Sequence, residues 1–273
     1  TPAIDCNKPT GSVTALAPNS GTSKVGNTVT LTVTAGNSET GLTLAGTINS
    51  KAGTNVVEVG GGVYTIDYVV AEGDNDVTSG NLACSLTLTD AAGNVSVAIS
   101  SIPANTLAID CHSPTVSTVV ANPAVGTRKV GDSITVTVTA SEAGLSGLSG
   151  TVNAKAVTLT DQGAGVYSGT YTIAEGDTDR AANALPIAFT LADAAGNTVA
   201  VSAFTSTTPA IDCHSPTVST VVANPAVGTR KVGDNIVVTV TAGEAGLSGL
   251  SGTVNGKAVT LTDNADNTYS GTY

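Results

Sequence analysis

Alternation of apolar and polar residues dominates this chain. Ser133-Ile-Thr-Val-Thr-Val-Thr139 puts every second residue on one face, the mark of a half-buried strand. Val116–Ala121 and Val166-Tyr-Ser-Gly-Thr-Tyr-Thr-Ile173 read the same way, and Tyr167 and Tyr171, four apart, share a face. Thr151-Val-Asn-Ala-Lys-Ala-Val-Thr-Leu-Thr160 predicts two strands around a tight turn at Asn153–Lys155. Ile187–Ala192 and Asn197–Ala203 flank Asp193-Ala-Ala-Gly-Asn197, whose Gly and Asn suit a hairpin turn. No stretch has the helical period.

The same pattern recurs along the chain. Thr1-Pro-Ala-Ile-Asp-Cys-Asn-Lys-Pro-Thr10 returns as Thr106-Leu-Ala-Ile-Asp-Cys-His-Ser-Pro-Thr115 and as Thr208-Pro-Ala-Ile-Asp-Cys-His-Ser-Pro-Thr217. Thr106–Tyr171 and Thr208–Tyr273 are nearly identical, and the first unit is a diverged copy. The repeats therefore divide the chain at 1–107, 108–209 and 210–273. Seven short, turn-punctuated strands in about 100 residues predict an Ig-like β-sandwich. The expectation is an all-β array of tandem Ig-like sandwiches in an extended rod. Its third member is incomplete, because nothing corresponds to Thr172–Ser206 after Tyr273. A bare hydrophobic edge there is costly, so a piece of a longer array is expected.

Composition narrows the function. Charged residues are 11% and aromatics 3%, with no Met or Trp, while 41% is apolar. Small cores of Val, Leu, Ile and Ala follow. The net charge of −11 argues against nucleic acid as a partner, since phosphate binding needs clustered Lys and Arg. It suits divalent cations instead. No apolar run reaches the length of a membrane span, and no signal peptide or initiator Met is present; membrane insertion of this segment is not expected.

An Ile-Asp-x-x-x-Pro-Thr linker, a Lys-Val-Gly-Asp approach to the second strand, an Ala-Glu-Gly-Asp loop and an Asp-x-x-Gly-Asn hairpin recur in order. Together they resemble the bacterial Ig-like repeats strung in tandem in very large surface adhesins, over the whole chain. The resemblance implies an extracellular, cell-surface extender whose arrays, often stiffened by Ca²⁺ at the domain junctions, hold a ligand-binding tip away from the cell. The chain departs from the common linker in carrying Cys111-His112 and Cys213-His214.

Strand alternation in such a sandwich places the fifth–sixth connection at one end. The N-terminus and the second–third and sixth–seventh connections lie at the other. Glu72, Asp74 and Asp76 are therefore expected to face Asp110, Glu142, Asp193 and Asn197 of the second repeat. Glu175, Asp177 and Asp179 are expected to face Asp212 and Glu244 of the third. Oxygen ligands in this number suit Ca²⁺, and without a cation the carboxylates repel. The alternative is that they are solvated loop charges, with Asp193 capping its own turn.

Cys6, Cys111 and Cys213 occupy one linker position, and Cys84 takes the place of Ile187. The topology allows a Cys84–Cys111 disulfide; the alternative is that Cys84 is a small core residue. Leftover linker thiols in an oxidising environment suggest bonds between chains. A closed zinc site at Cys-His is not expected. Adjacent side chains of an extended segment diverge, four ligands are needed, and the repeat holds no second Cys or His.

Enzyme signals are few. His112 and His214 are the only histidines and copy one position. Neither a Gly-x-Ser-x-Gly elbow nor a P-loop occurs. Gly144-Leu-Ser-Gly-Leu-Ser-Gly150 leads into a strand, where no helix amides await a phosphate. A non-catalytic adhesin-stalk extender is the expected function. The alternative is a subunit of an extracellular filament, sheath or surface layer with disulfide-linked repeats. The expected partners are other copies of the protein or further repeats of the same chain.

Overall fold

The computed structural model describes residues 4–273; Thr1–Ala3, which open the first repeated segment, lie outside them. One turn of 3-10 helix at Gly36–Ser38 is the only helical segment among the described residues. The first sandwich is built of β1 (Gly11–Ala17), β2 (Ser20–Lys24), β3 (Thr28–Ala35), β4 (Thr43–Ile48) and β5 (Lys51–Ala52). It continues through β6 (Thr54–Gly60), β7 (Val63–Val69), β8 (Cys84–Thr89) and β9 (Thr106–Asp110). The second has β10 (Val116–Asn122), β11 (Thr127–Arg128), β12 (Ser133–Ala140), β13 (Ser149–Val152) and β14 (Lys155–Thr158). It continues through β15 (Thr160–Gly163), β16 (Val166–Thr172), β17 (Ile187–Ala192), β18 (Thr198–Val201) and β19 (Ala210–Ile211). The third has β20 (Val218–Asn224), β21 (Val237–Ala242), β22 (Ser251–Val254), β23 (Lys257–Thr260), β24 (Thr262–Asp263) and β25 (Thr268–Thr272).

In the second repeat one sheet runs β10-β12-β16-β15 and the other β14-β13-β17-β18. This is the two-sheet, Greek-key plan of an Ig-like sandwich. The first repeat repeats it as β1-β3-β7-β6 and β5-β4-β8. There the bridges Thr89–Val95 and Leu86–Ile99 stand in for a last hairpin strand. Alternation decides which face is buried: Ile134, Val136 and Val138 of β12 are fully buried, and the threonines between them are half-exposed.

One local feature differs from the sequence expectation. Thr151–Thr160 does form β13 and β14 around a turn, in which Asn153 and Ala154 take positive φ (51° and 62°). Thr160, however, belongs to β15 in the opposite sheet, and Leu159, almost wholly buried, marks the crossing. The glycine-rich run is a fixed connection. Gly147 has φ +71°, and a Cβ there would stand 2.5 Å from the Thr190 carbonyl oxygen.

The segment read as a linker is a strand. β9 pairs in parallel with β2 from Ser20–Thr106 to Lys24–Asp110. β19 pairs in the same way with β11. The division at 107/108 therefore falls inside β9, and each sandwich closes with the Ile-Asp of the segment that leads to the next.

By packing, the chain forms two compact units. One comprises Thr1–Val125, Ile134–Tyr171 and Asn183–Pro209; the other comprises Gly126–Ser133, Thr172–Ala182 and Ala210–Tyr273. In the second unit the third repeat has the sheet β20-β21-β25-β24 but only β22-β23 opposite it. Among the described residues β17 and β18 have no counterpart here, and the core is open. Val221 is 63% exposed, whereas the matching Val119 is 2% exposed. A cleft of about 370 Å³ lies there, lined by Val221, Val238, Val240, Val254, Val259 and Leu261 among others.

Candidate metal centres at the repeat joints

The site is built outward from two tyrosines per repeat. Tyr167, buried on β16, accepts the Leu145 amide at 3.0 Å and donates to the Glu142 carbonyl at 3.2 Å. Tyr64 does the same with Leu42 and Glu39, and Tyr269 with Leu247 and Glu244. Four residues on, Tyr68, Tyr171 and Tyr273 each accept the side-chain amide of the turn asparagine, Asn49, Asn153 or Asn255 (3.0–3.2 Å). The tyrosines on one strand face thus hold the second–third connection at one end and the next turn at the other.

From Tyr68 the hydrogen bonds continue into the loop Ala71–Asp76. Asp74, buried, accepts from the Tyr68 hydroxyl (2.9 Å) and the Ala71 amide (3.2 Å), and pairs with Lys51 at 2.7 Å. Lys51 is the first cause holding the Asp74 carboxyl below its ordinary range. In the second unit the buried Asp177 accepts the Ala174 amide at 3.0 Å. Asp74 and Asp177, named from the sequence among the cation ligands, thus fasten their own loops from within.

The remaining acids of these loops reach the next repeat. Asp76 accepts the Cys111 amide at 2.8 Å and lies 3.0 Å from His112 Nδ1. Glu72 accepts the amide and hydroxyl of Ser113. In the second unit Asp179 accepts the Cys213 amide at 2.7 Å and lies 3.1 Å from His214 Nδ1, while Glu175 accepts the Ser215 amide. The amide of His112 donates to Asp110 and that of His214 to Asp212, each at 3.1 Å. Each Asp-Cys-His thereby forms a local turn that brings its imidazole back to the loop acid. Ligand atoms of Asp76, Asp110 and His112 lie within 4.8 Å of one another, as do those of Asp179, Asp212 and His214. Asp76 raises the His112 pKa above its usual value.

The hairpin Asp193–Asn197 adds a further lock in the first unit. Asp193 accepts the amides of Gly196 and Asn197 (2.7 and 2.9 Å). Asn197 donates to the main-chain oxygens of Asp110 and His112 and accepts the Val25 amide at 2.9 Å. Lys24 Nζ donates to the Gly196 carbonyl. Partial burial, then Asp193 and Asp110, hold the Glu142 carboxyl above its ordinary range, although the side chain still meets solvent. In the second unit Glu175 and Glu244 line one hollow of about 260 Å³ beside His214. The structure therefore gathers Asp76, Asp110, Glu142, Asp193 and Asn197 at one joint, and Glu175, Asp179, Asp212 and Glu244 at the next.

The sequence reading left the two imidazoles outside the ligand set. An extended segment would part each histidine from its neighbouring cysteine, but Asp-Cys-His is a turn. Asp-x-His, a local turn spacing, was the overlooked signal.

The cysteines correct two expectations. All four are free thiols. Cys84 Sγ points to the Ile99 carbonyl, whereas Cys111 Sγ points to the Asn75 carbonyl and lies 3.8 Å from the Tyr68 hydroxyl. The disulfide between them is not formed, because each sulfur is directed to a different partner. Cys111 and Cys213 are fully buried, and only Cys6 is exposed. A ladder of accessible linker thiols is therefore absent among the described residues.

No family model matches the chain, and no curated protein matches it. Among solved structures it is similar to the Ca²⁺-stabilized adhesin that helps an Antarctic bacterium reach out and bind ice. That likeness has 22% identity and a TM-score of 0.37, over 98% of this chain and 66% of that one. It is also similar to the fibronectin(III)-like modules of Clostridium thermocellum CbhA (14% identity, TM-score 0.33, 75% of this chain and 94% of that one). A third likeness is to Dpr2 Ig1–Ig2 in complex with DIP-Theta Ig1–Ig3 (10% identity, TM-score 0.27, 76% and 99%). No helix among the described residues is long and apolar enough to cross a membrane.

Proposed function

We propose that this chain is a non-catalytic spacer of an extracellular bacterial repeat protein, an adhesin stalk, whose joints are stiffened by Ca²⁺. One observation carries the reading: the same lock of loop acids onto the following Asp-Cys-His-Ser occurs at two successive joints. A catalytic centre has no need of that duplication; a load-bearing array does. The lock fixes the joint by hydrogen bonds but leaves carboxylates of one sign together. Partial burial first, and then the charges of Asp193 and Asp110, raise the Glu142 pKa at the first joint. A hard dication taking six to eight oxygens, with main-chain carbonyls and water beside these acids, relieves the like-charge repulsion. Asp212 and Glu244 take the corresponding places at the second joint. Further repeats of the same chain are its first partners. Burial of Cys111 and Cys213 removes the support for a filament cross-linked through those thiols.

The test is thermal melting of the full chain with Ca²⁺ and with chelator, beside the Glu142→Gln variant. The wild type is expected to melt higher in Ca²⁺. Glu142→Gln is expected to be the more stable protein in chelator and to gain less from Ca²⁺. Identical melts with and without Ca²⁺ sink the reading.

A further inference from the structure

We propose that each Asp–Asp–His cluster is a binding site for a borderline first-row dication of the Co²⁺ to Zn²⁺ group, distinct in its chemistry from Ca²⁺. The clusters are Asp76, Asp110 and His112 in the first unit, and Asp179, Asp212 and His214 in the second. Calcium prefers oxygen alone, whereas imidazole with carboxylate suits Zn²⁺, Co²⁺, Ni²⁺ and Cu²⁺.

One donor pair in each cluster is spaced for such an ion. Two donors at about 2.1 Å from one metal and at right angles stand about 3.0 Å apart. His112 Nδ1 and Asp76 Oδ1 are 3.0 Å apart, and His214 Nδ1 and Asp179 Oδ1 are 3.1 Å apart. The remaining carboxylate of each cluster is oriented by the amide of its own histidine. The loop acids are fixed as well, since Asp76 and Asp179 take the amides of Cys111 and Cys213. Ligands held in this way by groups behind them lose little freedom on binding.

A second observation separates the imidazole from the turn it sits on. In the first repeat Asn7 stands where His112 and His214 stand, and its amide still donates to Asp5 at 2.9 Å. The turn therefore forms without an imidazole. Both histidines remain more than half exposed, so neither is packing the joint. With three protein ligands per cluster, the other coordination positions are left to water, and the ion exchanges with solvent. The inference shares Asp110 and Asp212 with the calcium reading; it does not involve Glu142, Asp193 or Glu244.

Co²⁺ is the probe, titrated into the full chain by calorimetry and visible absorption, with Cys6→Ser removing the exposed thiol. Binding of two Co²⁺ per chain is expected, with ligand-field bands and no thiolate charge transfer. His112→Asn and His214→Asn, which copy the first repeat's own residue, are each expected to remove one ion, and the double variant both. Equimolar Ca²⁺ is expected to leave the Co²⁺ spectrum in place. Unchanged Co²⁺ binding by the double variant, displacement by equimolar Ca²⁺, or absence of binding by the parent chain each overturns the inference. The Ca²⁺-dependent melting of the double variant is a separate readout and bears on the stalk reading alone.

Discussion

Tyr167 shows how much of a joint depends on one hydroxyl. Its ring is buried, and its oxygen both accepts the Leu145 amide and donates to the Glu142 carbonyl. Tyr167→Phe leaves a buried amide without its partner and is expected to cost about 1–3 kcal/mol in denaturant unfolding. A loss within error shows that water replaces the hydroxyl. That Tyr167 and Tyr171 share a face was legible from their spacing; that they reach the loops bearing the acids was not, since no local pattern encodes a contact across the sandwich. The thiols make a second test at this scale. Burial pushes the Cys84 and Cys111 thiols up, and both are enclosed, as is Cys213. Alkylation of native protein is expected to label Cys6 alone, the other three reacting only after unfolding. Fast native labelling of Cys111 contradicts the packing around it. Asp90 supplies the pH dependence. The Asn94 side chain is the first cause holding its carboxyl below the ordinary range. Its stabilisation is thus complete above the unfolded value near pH 4 and lost as pH falls through the depressed one. The melting difference between wild type and Asp90→Ala is expected to be constant at neutral pH and to shrink in acid.

At the scale of elements, alternation identified the strands of both sheets, because burial on one face writes itself into every second residue. Two things escaped it. The crossing at Leu159, from β14 to β15 in the other sheet, leaves no mark in a pattern that continues to alternate. β9 looks like a linker because it ends in the motif that opens the next repeat, yet its Leu107 and Ile109 are buried in the first core. Replacing Leu107 with Ala is expected to cost about 2–5 kcal/mol, read by denaturant unfolding. A cost near zero means that β9 is detachable. The third repeat gives the complementary case. Its strands follow nearly the same pattern as the second, but β20 is exposed throughout and β21 is mostly half-buried. Residues 210–273 expressed alone are expected to aggregate or remain unfolded. A cooperative monomeric melt would show that one sheet and a hairpin suffice.

At the scale of the whole molecule, each joint is the proposed unit of stiffness. The acids at both joints were legible, because tandem strand alternation fixes which loops come to which end. Their division of labour was not: Asp74 and Asp177 turn inward because Lys51, Tyr68 and the loop amides hold them there, and spacing does not reveal partners. Small-angle X-ray scattering of the full chain, in Ca²⁺ and after chelation, tests the stiffening directly. A longer maximum dimension and a narrower spread of conformations are expected with Ca²⁺, both lost on chelation and restored by returning the ion. Scattering curves that superimpose in the two conditions would contradict the stiffening.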